Sequence, residues 1–456
     1  MSNMATSSID ASPLAAILSD KSATVSEPKC NSKPRTRRRA SGLGGELWGD
    51  TGAPAFATLD LWQDHDTKTH YSRSSKKSHH KRGKQKSWLQ EYKLLAFQHT
   101  WLTPLIILLI LLTLYGVNPN PSNVLHHLIF LSHTLPPSPN SPLDAPTQYS
   151  KGRYDLAFVA FYALLLTFTR EFIMQRLLPL ALHFQLKSRS KQLRFMEQSY
   201  TALYFGLLGP IGVFIMSRTP VWYFNIAGMY SGFPHKSMTG EFKFYYLFQA
   251  AYWAQQAVVI WLKLEKPRKD YNQLVGHHIV TLILIALSYR FHFTYMGLAV
   301  FVTHDLSDCT FATSKTLHYI NSRFTAPYFV FFIGTWVYLR HYLNLRILWS
   351  EFNEFKTVGP YVLSWEEEQY KCELSHWIST ILLGGLQALN LFWGVLILRV
   401  AWRFGVKGEL GDSRSEDEGE EVVEKKILLG RERESVGEKS SAAGNRRAGM
   451  PKRRAR

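Results

Sequence analysis

Cysteine is scarce in this chain, with only Cys30, Cys309 and Cys372 among 456 residues. No pair has metal-ligand spacing and the count is odd, which argues against a disulfide framework and against a cysteine-built zinc site. The first 97 residues lack an early apolar run, so they do not read as a signal peptide. Their Ser, Lys, Arg and Pro content buries too little apolar surface to offset ordering, and an unfolded cytosolic tail is expected. Internal repeats are lacking too. Acidic residues are outnumbered, 35 against 53 Lys and Arg, for a formal charge of +18. Nucleic acid is not the expected partner, because the strongest basic cluster, Lys76, Lys77, Lys81, Arg82, Lys84 and Lys86, stands just before the first apolar run. That placement reads as a cytosolic membrane anchor.

What the chain does have is apolar sequence in long stretches. A mean hydropathy of −0.13 conceals it, because polar ends dilute the middle. Eight segments, at about 101–117, 155–178, 198–217, 243–263, 274–289, 293–314, 327–348 and 375–402, are long enough to cross roughly 30 Å of hydrocarbon. The expected fold class is therefore an all-α polytopic membrane protein of about eight transmembrane helices. The connector holding Pro119, Pro121, Pro136, Pro137, Pro139, Pro142 and Pro146 is expected to be an extended loop.

Charge orients the spans. The connectors with Lys187, Arg189, Lys191 and Arg194, and with Lys263, Lys266, Arg268 and Lys269, both become cytosolic when eight helices start from a cytosolic N-terminus. The connector with Glu351, Glu354, Glu366, Glu367 and Glu368 is then lumenal, and the C-terminus returns to the cytosol. Four parts are expected: a tail over 1–97, two helices with the proline-rich lumenal loop over 98–189, a six-helix unit over 190–407, and an unfolded tail over 408–456. Six acidic residues between Glu416 and Glu424 follow Ser413 and Ser415, a pattern suited to acidophilic kinases and equally to a solubilising tail.

The chemistry concentrates in two places. In the fifth segment His277 and His278 stand about one turn inside an apolar helix, where such residues are costly and face a cavity or a partner. Helical geometry puts His277 on the face of Thr281 and Ser288, and His278 on that of Leu282 and Ile285, so His277 is expected to be the inward, reactive ring. The sixth segment contains His304-Asp305-Leu306-Ser307-Asp308, with Lys315 two turns further. Offsets of three and four bring Asp308 near the faces of Asp305 and His304. Mutual neutralisation between packed helices is the plain alternative, and Thr303, Ser307, Thr310 and Ser314 suit such packing. The antiparallel course of the two helices brings the clusters to a comparable depth.

Weaker polar stripes occur at Gln249, Trp253 and Gln256 and at Gln387 and Asn390, where interhelical hydrogen bonding is expected. Trp336 and Arg340, one turn apart, read as a cation and π contact or a snorkelling arginine, without a catalytic role.

The run from Trp253 to Ser322, with AQQAVVIWLKLEKPRKDY, LVGHHIVTLILIALSYRFHFTYMGLA, HDLSD and SKTLHYINS, resembles the longevity-assurance motif of the ceramide synthases, the TLC-domain sphingosine N-acyltransferases, and is most similar to the fungal branch. The likeness extends over about 190–407, including the phrases Trp222 to Asn225 and Thr335 to Tyr342. The resemblance implies a barrel formed by the last six transmembrane helices. It implies catalytic roles for His277, His278, Asp305 and Asp308; beside them, His304 and Lys315 of the same ionisable helix are expected to bind substrate. It also implies no cofactor, with acyl-CoA and a sphingoid base as substrates. The endoplasmic reticulum membrane is the implied location, as a homo- or hetero-dimer with a paralogue and a small single-span accessory subunit. The basic end at Lys452, Arg453 and Arg454 resembles a dibasic retrieval signal for that compartment.

A sphingoid amine is mostly protonated at neutral pH, so amide formation needs a base and a positioned thioester carbonyl. The residues leave two routes open: His277 takes the proton directly, or it first accepts the acyl group, with Asp305 or Asp308 orienting an imidazole. A lipid sensor or transporter, another histidine-dependent membrane acyltransferase and a scaffold of charge-locked helices are the rivals.

Overall fold

In a computed structural model the described residues are 88–137, 139, 142, 144–186, 189–261 and 271–407. The basic cluster from Lys76 to Lys86, Lys187, the connector with Lys263, Lys266, Arg268 and Lys269, and everything from residue 408 on, Ser413, Ser415 and the terminal signal included, lie outside them.

Eleven α-helices are described: α1 Trp88–Gln98, α2 Leu102–Val117, α3 His126–Ile129, α4 Tyr154–His183, α5 Arg189–Ser217, α6 Gly240–Trp261, α7 Tyr271–Arg290, α8 Thr294–Tyr319, α9 Thr325–Trp336, α10 Asn344–Thr357 and α11 Glu373–Lys407. A π-helical turn, Val337–Leu343, joins α9 to α10 without a break. Each of the eight apolar segments is helical over nearly all of its described residues, and α4, α5, α7, α8, α10 and α11 run beyond the apolar runs because their polar ends also form intrahelical bonds. Four are both long and apolar enough to cross a membrane: α4, α5 from Lys191, α7, and α11 up to Val406. In α6 and α8 buried polar groups, among them Lys243, Gln249, Asp305 and Asp308, interrupt the apolar sequence, while α2 is short and the π turn divides the α9–α10 rod, which buries Arg340 and Glu351.

Three local expectations change. Trp88–Gln98 is helical although it ends the stretch expected to be an unfolded tail; its WLQEYKLLAFQ sequence has no proline or glycine and favours a helix. The proline-rich connector is not wholly extended. It carries α3 and the strand β1, Gln148–Tyr149, in stretches that contain no proline, and β1 pairs antiparallel with β2, Met238–Thr239. Glu351 and Glu354 belong to α10 and not to a connector, and Glu351 is fully buried, accepting bonds from Ser379 Oγ at 2.6 Å and Tyr230 Oη at 3.4 Å.

The loop is anchored by a buried cation. Lys243 Nζ, at the start of α6, donates to the carbonyls of Ser132 and Ser150 and lies 2.7 Å from Asp155 Oδ1. Asp155 Oδ2 accepts from the Gly152 N–H and from Tyr289 Oη, tying the first turn of α4 to α7. A two-stranded hairpin, β3 Leu363–Ser364 with β4 Gln369–Tyr370, lies between α10 and α11 at the same end of the helices as the α7–α8 turn.

The packing that matters most for the site is that of α5 on α8. Small residues on α5 allow close approach, which in an apolar helix bundle gives the dispersion contact that holds helices together. A Cβ on Gly209 would stand 3.0 Å from Leu306, and one on Gly212 would stand 2.5 Å from Tyr245 Oη and 3.0 Å from Val302. Between these helices and α6, buried Tyr204, Phe205, Tyr245, Tyr252 and Phe301 fill the core. Helix α8 also touches α7, α9 and the π turn, and α11 closes against α7 and α10.

Candidate active site

Helix α7 places His277 and His278 side by side at 1% and 3% exposure. Aromatic rings enclose them: Trp253 of α6 stands 5.5 Å from the His277 ring and 5.6 Å from that of His278, and Trp393 of α11 stands 5.3 Å from His277, edge on. The two imidazoles differ in their bonding. His278 Nδ1–H donates to the Leu274 carbonyl at 2.9 Å, one turn back, which anchors its ring to its own helix. Both nitrogens of His277 are buried without a hydrogen bond. Such a group costs on the order of 1–3 kcal/mol unless a substrate satisfies it.

His277 lines a cavity whose walls are otherwise mostly apolar. Thr281, Ser288 and Ile285 of α7 line it as well, so the face expected for His277 is the cavity face, and Ile285 shares it. His304 enters the same cavity from α8. Its Nδ1–H donates to the Val300 carbonyl at 2.8 Å, with Thr303 Oγ1 at 3.0 Å. This bond fixes the tautomer, so that the buried, unbonded Nε2 carries a lone pair. Two imidazoles with open nitrogens therefore face one mostly apolar chamber.

The carboxylates do not line that chamber. Asp305, fully buried, turns toward α6, where its Oδ2 accepts from Tyr245 Oη at 2.9 Å and from Gln249 Nε2, while Oδ1 makes no hydrogen bond. Asp308 turns toward the π turn, where Arg340 Nη2 meets its Oδ1. The same guanidinium donates to Ser307 Oγ, to Asn390 Oδ1 at 3.0 Å and to the His304 carbonyl at 3.4 Å, and it lies 4.8 Å from the Trp336 ring. Arg340 has no exposed surface, so of the two sequence readings the cation and π contact is present and the snorkelling arginine is not. A π turn widens the helix by one residue and re-aims a side chain, a device common at functional sites. Here it carries the arginine that grips one full turn of α8, from His304 to Asp308.

The remaining candidates are placed as follows. Lys315 is buried two turns beyond Asp308, with its ammonium 4.4 Å from the Phe311 ring. Gln256 accepts from Arg170 at 3.4 Å, and Gln387 accepts from Asn344 and donates to His341, so these polar stripes bridge helices. Sequence reasoning did not single out Tyr245 or Trp393, which look like any aromatic residue in an apolar run. For Arg340 a signal existed, the expense of a guanidinium in the middle of an apolar segment. Among the described residues no cluster of three or more His, Cys, Asp or Glu has metal-binding geometry.

Comparison with known proteins gives the same region a family context. Residues 194–399 match the TLC domain family. The chain is 47% identical to the sphingosine N-acyltransferase lac1 of Schizosaccharomyces pombe, over 72% of this chain and 84% of that protein. It is 47% identical to the sphingosine N-acyltransferase-like protein FUM17 of Gibberella moniliformis, over 76% of this chain and 89% of that one. It is 41% identical to the ceramide synthase LAG1 of Saccharomyces cerevisiae, over 86% and 94% respectively.

Proposed function

The chain belongs to the TLC-domain family of fungal sphingosine N-acyltransferases, the ceramide synthases, and from that membership we propose a reaction in the chamber of His277 and His304. The enzyme joins a fatty acyl group to the amine of a sphingoid base. The acyl donor is acyl-CoA and the acceptor is sphinganine or phytosphingosine. One observation carries the site: His277, with both ring nitrogens buried and unbonded, stands on the wall of a mostly apolar cavity.

The chemistry follows from what each residue offers. The sphingoid ammonium loses a proton to an imidazole, the free amine attacks the acyl carbonyl, the carbon–sulfur bond breaks, and the thiolate of CoA leaves with a proton. His277 serves as that base or accepts the acyl group first as an acyl-imidazole, in which case its nitrogen is the leaving group when the amine attacks. His304 Nε2, a lone pair on the same chamber, suits the second proton transfer. Asp305 and Asp308 act from behind α8, as positioning groups for His304 and the helix turn that bears it. His278 backs His277, and Lys315, nearer the cytosolic end of α8, suits contact with the anionic part of CoA.

The same reading extends to the membrane. All eight of α2, α4, α5, α6, α7, α8, the α9–α10 rod and α11 cross it, the last six as a barrel, with both termini cytosolic in the endoplasmic reticulum. The polar groups of α6, α8 and α9–α10, such as Lys243, Asp305, Asp308 and Arg340, are buried inside the bundle and support this count. Assembly as a dimer with a paralogue or with a small single-span subunit belongs to the proposal too.

Loss of a general base costs about a hundredfold to ten-thousandfold in rate. His277→Ala therefore abolishes practically all ceramide formation at normal protein abundance, measured as CoA release and ceramide mass in membranes. Retention of a tenth of the activity would exclude the role. Denaturing mass spectrometry after acyl-CoA alone distinguishes the routes: an acyl adduct on His277 selects the covalent one. In cells depleted of the protein, free sphingoid bases rise while ceramides fall, an outcome that a sensor or transporter does not require.

A further inference from the structure

Two chambers meet end to end along α7. The upper is that of His277 and His304; the lower runs toward the β3–β4 hairpin between Phe291, Trp365, Tyr370 and Leu374, and is open at that end, where Trp365 and Leu374 are exposed. They share three wall residues, Leu284, Ser288 and Met296. At this junction stands a hydroxyl pair. Ser288 Oγ–H donates to the Ile285 carbonyl at 3.1 Å, which leaves Tyr246 Oη as the donor to Ser288 Oγ.

The position of the Tyr246 ring is tightly determined. It is 1% exposed and packs against Tyr289 and Phe301, with centroids 5.6 and 5.1 Å away. Beneath it lies Gly297 of α8, itself on the upper chamber wall. A Cβ at Gly297 would stand 2.2 Å from Tyr246 Oη and 3.0 Å from Cζ, so only glycine leaves room for the phenol as placed.

Distance gives this junction a meaning. From His277 to Ser288 the helix rises roughly 16 Å, about the length of a dozen methylenes in an extended chain. We propose that Tyr246, seated over Gly297 and tied to Ser288, is a length gate for the acyl chain: chains of about twelve carbons end above it, and longer ones pass it into the lower chamber. The inference rests on the reading that the acyl carbonyl is held at His277. The hydroxyl pair stands where the two cavities share walls, and a chain that passes it meets the apolar surfaces of Phe291, Leu374 and the hairpin. Short chains gain none of that burial, so the gate sets how strongly the enzyme distinguishes lengths.

The full-length enzyme in native membranes tests this with competing C12-, C18- and C24-acyl-CoA and one sphingoid base, reading ceramide ratios by mass spectrometry. Ratios within one preparation do not depend on how much protein folds. Gly297→Ala pushes the phenol into the passage and lowers the C18 to C12 product ratio at least about tenfold. Tyr246→Leu removes hydroxyl and ring and raises the C24 to C18 ratio about threefold or more. Both ratios staying within about twofold of the parent enzyme, even with total activity reduced, would overturn the gate. So would an unchanged acyl ratio with an altered preference between C16 and C20 sphingoid bases, which would put the base chain past Tyr246. Neither result touches the role of His277, which the His277→Ala assay judges separately.

Discussion

Arg340 Nη2 lies 2.5 Å from Asp308 Oδ1, with no exposed surface on the arginine side chain and 3% on the aspartate. This dry ion pair fastens the π turn to the turn of α8 that bears His304, and the guanidinium bonds to Ser307 and to the His304 carbonyl complete the clamp. Removing one member leaves the other charge buried, which typically costs 3–5 kcal/mol. Arg340→Met should therefore lower the unfolding midpoint of the detergent-solubilised enzyme by about that free energy. The double variant Arg340→Met with Asp308→Leu should recover most of the stability, since an apolar pair can replace a buried ion pair, without recovering activity.

Asp305 is held by neutral donors, and its role is separable from its shape. Leaving a buried hydrogen-bonding group without its partner costs about 1–3 kcal/mol. Tyr245→Phe is thus expected to reduce kcat about tenfold or more, with KM for the sphingoid base nearly unchanged. Asp305→Asn keeps the volume and should lose about a hundredfold. Full activity in Asp305→Asn would remove the Asp305 carboxyl from the mechanism.

The close contact of α5 with α8 makes two glycines inequivalent to others in the helices. Overpacking costs about 1–3 kcal/mol, so Gly212→Ala, whose Cβ meets Tyr245 Oη and Val302, should destabilise the protein and depress kcat together. Gly384→Ala on α11 meets nothing within 4 Å and should be neutral or stabilising by up to about 1 kcal/mol, as expected for alanine in a helix. Thermal unfolding of the pair, run side by side, checks the contrast.

A pH dependence is built into the loop end. Lys151 Nζ donates to the His235 carbonyl at 2.9 Å and to His292 Nδ1 at 3.0 Å, and burial pushes its pKa down to about 7. Glu368 opposes that shift and Lys243 adds to it. Burial, assisted by the Lys151 charge, pushes His292 down to about 3. Both groups bind fewer protons folded than unfolded. Stability therefore rises with pH between about 3 and 6.5 through His292 and between about 7 and 10 through Lys151. Lys151→Met should flatten the upper part of the melting-temperature profile from pH 7 to 9. An unchanged slope would show that the lysine is solvated in the folded state.

Much of the architecture was legible in the residues alone. The eight apolar segments all became helices, since a run of apolar side chains of that length satisfies its backbone in a helix whatever it packs against. The TLC family and the acyl transfer to a sphingoid base followed from the run around His277, and the relatives agree. Less legible was the proline-rich connector, where β1 depends on pairing with β2 and the loop on the Lys243 anchor, both distant in sequence.

Helical periodicity alone determined that His277 shares a face with Thr281 and Ser288, because the spacing of side chains around a helix is a local property. Periodicity could not say what stands opposite. Only the tertiary structure decided that Asp305 meets Tyr245 and Gln249, that Asp308 is taken by Arg340, and that His304 reaches the chamber with His277. Those pairings depend on how α5, α6, α8 and the π turn cross, and crossing is set by interlocking shape over many residues at once, with Gly209 and Gly212 permitting the approach.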